Sequence, residues 1–316
     1  MSLSAMKKAT IAGFSPKRNT RHHVRSISLP KRLHPSTVKI EQVLNKLKSL
    51  KASTTLLPAE KVLSSIHGLE ELYVNIEELL NLRLTQQAIS GHEHDKWVNE
   101  LLDDSISHLD TCSRIRDVIF LMKGDVGKLQ SVLRRTRVGG DLGIEKSVNA
   151  YVSSTKKVKK DLTKCLAELK QSENKNWGDS LLELDNHLLA VVRVLRESGF
   201  VTISVLKSLL IWLSMPASNQ RPSKWILVAK LVQKGVVACE DTQDNVKEFE
   251  GLDFVLANIL GSQCSSKDLK LEMINCAQKR LETLEARFQG LEDGLEGLLR
   301  HLMCARVFFL NILSLK

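Results

Sequence analysis

Residues 25–30 read RSISLP, inside the longer stretch HHVRSISLPKRLHP. The side chains there that could take part in chemistry are Arg25, Ser26, Ser28 and Pro30. An arginine three residues before a serine is what the acidic groove of a basophilic kinase selects. A phosphate on Ser28 adds about −1.5 to −2 charge and strong acceptor oxygens, which arginine clusters grip. Pro30 fixes φ and can steer the chain out of a groove. R-S-x-S-x-P is also the pattern that 14-3-3 adaptor proteins read once the second serine carries phosphate. The chemistry expected here is done to the chain, with Ser28 as the main acceptor, Ser26 as a secondary one, and a kinase and an adaptor as partners.

Other reactive residue types are present but poorly placed for catalysis. HEHD (92–95) sets two histidines at i and i+2 beside carboxylates. Zinc wants spaced ligands on a rigid element, and no second His/Cys cluster completes the set. A solvated turn is the expectation. Glu70/Glu71 and Glu77/Glu78 alternate with leucines, so a solvated helix face is expected rather than acid–base work. The six cysteines (Cys112, Cys165, Cys239, Cys264, Cys276, Cys304) form no C-x-x-C pair and read as reduced, mostly buried thiols. No G-x-x-x-x-G-K-[ST], G-x-G-x-x-G or G-x-S-x-G stretch occurs. The expectation is a non-enzyme with no catalytic residue, cofactor or metal.

Charge separates the chain into two parts. Residues 1–40 hold nine basic side chains (Lys7, Lys8, Lys17, Arg18, Arg21, Arg25, Lys31, Arg32, Lys39) and no Asp or Glu. The whole chain has 46 basic and 36 acidic residues, so the net +10 belongs almost wholly to this tail. Ordering residues 1–36, with three prolines and little apolar periodicity, would cost about 1–2 kcal/mol per residue with little burial in return. They are expected to be disordered when free. The tail has one aromatic, Phe14, so no base-stacking series exists and no dedicated nucleic-acid binding is expected. It also has the acid-free, Arg- and Ser-containing make-up of a transit peptide. The expected location is cytoplasmic, with plastid or peripheral membrane as alternatives.

The remainder, 37–316, is rich in Leu, Lys and Glu and has only 4% aromatics over the full chain. That favours helix over sheet. Ser36 or Thr37 caps a first helix bearing Ile40, Val43, Leu44, Leu47 and Leu50. Pro58 opens a second, with Val62, Ile66, Leu69, Tyr73, Ile76 and Leu80 on one face. A turn at Ser90-Gly91 precedes a long third helix striped by Trp97, Leu101, Leu109, Cys112, Ile115, Ile119, Met122, Val126, Leu129 and Leu133. RVGGDLG (137–143) stops it. A fourth helix, about 144–170, has Val148, Tyr151, Val158, Leu162, Cys165 and Leu169 inward and KKVKK (156–160) on its outer face. Gly199 divides the apolar stretch 180–215. MPASNQRPS (215–223) is a linker. A helix near 224–248 and the mixed segment GLDFVLANILGSQC follow.

The last helix carries Ile274, Ala277, Leu281, Leu284, Phe288, Leu291, Leu295, Leu298, Leu302, Ala305, Phe309 and Ile312 in unbroken steps of three and four, a heptad seam. Gly290, Gly294 and Gly297 lie off the seam and let a neighbouring backbone approach. Docking along the bundle is expected, with a homodimeric coiled coil as the alternative. Residues 200–215 fall short of the roughly 20 apolar residues of a membrane span and contain Lys207. A buried core helix is expected, with Leu209, Ile211 and Trp212 as the residues to watch for membrane or partner contact. The oligomeric state is left open.

HVRSISLPKRLHP (23–35), GLEELYVNIEELLNLRLTQQAI (68–89), KWVNELLDDSISHLDTCSRIRDVIFLMK (96–123), YVSSTKKVKK (151–160) and GLEGLLRHLMCARVFFLNILS (294–314) together resemble the plant BYPASS-related family, a plant domain of unknown function. The resemblance implies a plant protein, an all-helical fold, a part in root and shoot development, and no catalytic residues. The expected architecture is all-α: an elongated bundle of long antiparallel helices, residues 37–316 forming a single helical domain behind the disordered basic tail 1–36. The expected function is regulation or scaffolding through protein–protein interaction, switched by tail phosphorylation. The alternative is a peripheral membrane protein using the tail and the 200–215 segment.

Overall fold

Pro35 has no backbone N–H to lose at a first helical turn, and its fixed φ suits that turn. Helix α1 begins there and runs Pro35–Ala52, so Ser36 and Thr37, expected as its cap, instead lie within its first turn. Thr37 Oγ1 donates to the His34 carbonyl at 2.6 Å, and the Ser36 N–H donates to His34 Nδ1 at 3.2 Å. The computed structural model describes residues 34–52, 58–138, 143–172, 184–214, 248–261 and 267–314, all within one compact unit, Leu33–Lys316. The RSISLP motif, the linker 215–223, most of the expected helix near 224–248, Cys239 and Cys264 lie outside the described residues.

Pro58 again precedes a helix, α2 (Ala59–Leu80), and a short α3 (Arg83–Ile89) follows. Gly91 makes the next turn at φ +96°, a left-handed value that favours glycine. Helix α4 (Lys96–Val138) spans 43 residues, and α5 (Ile144–Ser172) starts after Gly143 at φ +85°. Helices α6 (Asn186–Ser214), α7 (Glu248–Leu260) and α8 (Lys267–Leu313) complete the described elements. Every described element is helical, and the helices pack on one another, so the fold class is all-α.

The seam of α8 is the spine of the core. All twelve of its positions from Ile274 to Ile312 are buried, and α8 packs most extensively on α4 and α2. Against α4 it runs antiparallel. Lys123 Nζ meets Glu292 at 2.7 Å, Gln130 donates to Glu285 at 3.0 Å, and Arg134 meets Glu282 at 3.7 Å. Against α2 it runs parallel. A Cβ on Gly290 would lie 3.4 Å from Leu63, one on Gly294 3.0 Å from Ile66, and one on Gly297 would overlap Glu70. The three glycines are therefore where α2 approaches closely. The seam is filled inside the molecule, which is the docked arrangement.

Helices joined by short connections lie antiparallel. Between α1 and α2, Lys39 pairs with Glu78 at 3.6 Å and Lys46 with Glu71 at 3.5 Å. Between α4 and α5, Arg114 pairs with Glu168 at 2.5 Å, and Ser154 donates to Asp125 at 2.5 Å.

Four more expectations need correction. Gly199 does not divide the 186–214 stretch; α6 runs through it, and a Cβ there would stand 3.3 Å from His108, so this glycine serves close packing of α6 on α4. The segment GLDFVLAN is helical, part of α7, because Phe249, Leu252, Val255 and Leu256 recur at helical spacing and are buried. Lys159 is not an outer-face residue like Lys156, Lys157 and Lys160. Its Nζ lies 5.9 Å from the Phe249 ring centroid, and burial pushes its pKa down while Asp253 pulls it back. Of the glutamate pairs, Glu71 and Glu78 are exposed as expected, beside lysines of α1, whereas Glu70 and Glu77 are half-buried: Glu77 accepts from His301 Nδ1 at 2.8 Å and Glu70 lies against Gly297.

Candidate functional site

A helix that places apolar residues at 101, 109 and 112 also turns positions 105 and 108 toward the same side. On α4 those positions are Ser105 and His108, polar residues in a core phase. Across from them α6 brings Arg196 and Ser198, α8 brings Arg306, and α2 brings Tyr73. Together they line a cavity of about 80 Å³ between the four helices, walled elsewhere by Leu80, Leu101, Leu195, Leu302 and Phe309 among others. A water's share of liquid volume is about 30 Å³, so this space suits a few waters or one small chemical group. It is well below the roughly 300–1,000 Å³ of a typical small-molecule pocket.

The polar atoms of this cavity mostly join one helix to another. Arg306 Nη1 donates to the Leu102 carbonyl at 2.6 Å and to Ser105 Oγ, which ties α8 to α4. Ser105 Oγ–H donates to the Leu102 carbonyl at 2.7 Å. Arg196 Nη2 lies 3.5 Å from Glu100, tying α6 to α4. Burial pushes the Arg196 guanidinium down from the usual arginine range, and the carboxylates of Glu100 and Asp104 pull it back. Tyr73 and Thr202 share a buried hydroxyl–hydroxyl hydrogen bond of 3.0 Å between α2 and α6. Burial raises the Tyr73 pKa to about 12 and that of Cys112, one turn beyond His108, also to about 12. Both stay protonated at neutral pH, so neither supplies a nucleophilic anion. Replacing Arg306 by Met is expected to cost about 1.5–3 kcal/mol, the loss of a charged hydrogen-bond donor. Urea unfolding of the variant against wild type measures it.

The other residues singled out from sequence sit as follows. His92 Nδ1 and Trp97 Nε1 both reach Asp95 Oδ2, at 2.8 and 2.9 Å, so HEHD is the hydrogen-bonded turn that opens α4. Those bonds hold the Asp95 carboxyl below its usual range, the one from His92 most of all. Among the described residues no group of three or more His, Cys, Asp or Glu is placed to hold a metal ion. Leu209 (0% exposed) and Trp212 (3%) lie in the core, and Ile211 is half-buried. No described helix is long and apolar enough to cross a membrane. Arg25, Ser26, Ser28 and Pro30 fall outside the described residues. Sequence reasoning did not reach Ser105, His108, Arg196 or Arg306. The available signal was Ser105 and His108 falling in phase with an apolar stripe.

No curated protein and no solved structure matches this chain. A family model described as Protein BPS1 matches residues 65–312, from the first turns of α2 almost to the end of α8 and not including the basic tail. With most of its length matched by that model, the chain belongs to the BYPASS-related plant family.

Proposed function

We propose that this chain is a non-enzymatic regulatory scaffold in plant root and shoot development, and that RSISLP is its phosphorylation-controlled docking site. The observation that supports a scaffold is how the partly buried polar side chains between the helices are used. Glu77–His301, Lys123–Glu292, Gln130–Glu285, Arg196–Glu100 and Arg306–Ser105 each join two helices. Such pairs hold a fixed body together and leave small room for a substrate. Membership of the family supports the developmental setting of this proposal.

The tail supports the switch. Arg25, Ser28 and Pro30 stand in a stretch with no acidic residue, the charge pattern that the acidic groove of a basophilic kinase selects. Phosphate on Ser28 takes the charge of residues 1–40 from nine positive to roughly seven. That weakens attraction to anionic lipid or nucleic acid as the adaptor site forms. The test is a binding titration of a peptide covering residues 20–34, with and without phosphate on Ser28, against a purified 14-3-3 protein. At least tenfold tighter binding of the phosphopeptide is expected, about 1.4 kcal/mol. Equal affinity for the two forms would end the adaptor reading. A tagged pull-down from plant tissue then identifies the remaining partners.

A further inference from the structure

Gly124 and Gly127 lie in the middle of α4, where each costs about 1 kcal/mol relative to alanine. On α8 the glycines at 290, 294 and 297 are explained, because side chains of α2 lie against them. On α4 nothing lies within 4 Å of a Cβ built on either glycine. Beside them, Phe120 is 64% exposed and Leu121 58%. Two large apolar side chains and an unfilled glycine notch thus share one outward strip of a long, regular helix.

The same strip carries charge in a definite order. Asp110 and Asp117 precede the apolar centre, Lys128 and Arg135 follow it, and all four are exposed. They are spaced by seven from 110 to 117 and from 128 to 135, so they lie along one line of the helix. Read from its other end, the strip is its own charge complement.

We propose that this face of α4 binds a second copy of the chain, with the two α4 helices antiparallel across a two-fold axis between positions 122 and 123. In that register Leu121 enters the notch at the second copy's Gly124. Asp117 meets Lys128 and Asp110 meets Arg135. Each contact occurs twice, as an isologous interface requires. Parallel pairing in register would oppose Asp to Asp and Lys to Lys, so charge selects the antiparallel arrangement. Of the neighbours that these charges already have, Arg116 with Asp117 at 3.5 Å is an exposed surface pair, and Lys128 is exposed in its pair with the half-buried Asp125 at 3.1 Å. Pairs of that kind are worth little and rearrange readily. A glycine here lets two helix backbones approach as α8 lets α2 approach, which gives the unfilled position at Gly124 a use.

The test is sedimentation velocity of the full-length chain over a concentration series. Wild type is expected to dimerise. Asp117→Lys or Lys128→Asp alone replaces two attractive pairs by two repulsive ones and is expected to weaken the dimer about tenfold or more. The double variant Asp117→Lys/Lys128→Asp restores the pairs with their signs exchanged, and is expected to return within about threefold of wild type. Gly124→Leu should fill the notch and abolish the dimer while its monomer melts no lower than wild type, since no described atom lies in the way. That behaviour separates loss of the interface from loss of the fold. A wild type that is monomeric throughout, single reversals that leave association unchanged, or a double variant that stays as weak as the single ones would each overturn the proposal. Capture of a different protein's helix on this face by a monomeric wild type would also overturn it.

Discussion

Phe288→Ala is expected to destabilise the fold by about 3–5 kcal/mol, the range for truncating a fully buried phenylalanine. Phe288 stands at the centre of the α8 seam and is buried. Its ring centroid lies 6.4 Å from that of Trp212 on α6 and 6.2 Å from that of Phe249 on α7, and those two are 5.2 Å apart. The three rings join three helices, and on the 13-residue α7 Phe249 is one of four buried apolar residues. Alanine there leaves a void that α7 cannot close without leaving α8. Urea unfolding should therefore show both the loss of stability and a change in Trp212 emission at denaturant concentrations below the main transition. A loss under 1 kcal/mol would mean that the aromatic cluster does not hold these helices.

Leu209→Glu and Ile211→Glu, two residues apart on α6, are expected to differ sharply. Leu209 is wholly inside, and a carboxylate there has no partner to offset its desolvation. The expected cost is about 3–5 kcal/mol, as for other uncompensated buried charges, or a shift to the protonated acid. Ile211 is half-buried, so its substitution should cost about 1 kcal/mol. Circular dichroism melts of the two variants measure the difference. The comparison also bears on membrane attachment. Because Ile211→Glu keeps the fold, it is the variant to carry into a high-salt fractionation of plant extract. If wild type pellets and Ile211→Glu does not, this helix contributes to attachment. If both pellet alike, the attachment lies elsewhere, with the basic tail as the first segment to remove.

The apolar periodicity of the chain carried most of the secondary structure. Pro58 marked a helix start, Ser90-Gly91 and the segment 137–143 marked turns, and the twelve positions picked out along α8 by steps of three and four are all buried. These features are local. A proline without an N–H or a residue at positive φ acts within one turn, and a stripe of apolar residues specifies which face is inward whatever lies opposite. The proposed phosphorylation motif Arg25-Ser28-Pro30 is likewise a local feature of the sequence.

Which surfaces meet is a different kind of question, and only the tertiary structure decided it. Gly199 read as a break and proved to be a packing site, because its neighbour is His108, distant in the chain but adjacent in space. Lys159 read as one more solvated lysine, yet it is drawn over Phe249 of a helix some ninety residues on. Arg306 and Ser105 looked unrelated until α8 and α4 lay antiparallel. The glycines of α8 and α4 are indistinguishable as letters. Those of α8 are filled by α2 and those of α4 are not, because a glycine's meaning is set by what approaches it and not by its own conformation. Periodicity along one helix fixes which side turns inward; the partner that side meets, and the outward face that stays uncovered, depend on contacts between residues far apart in the chain.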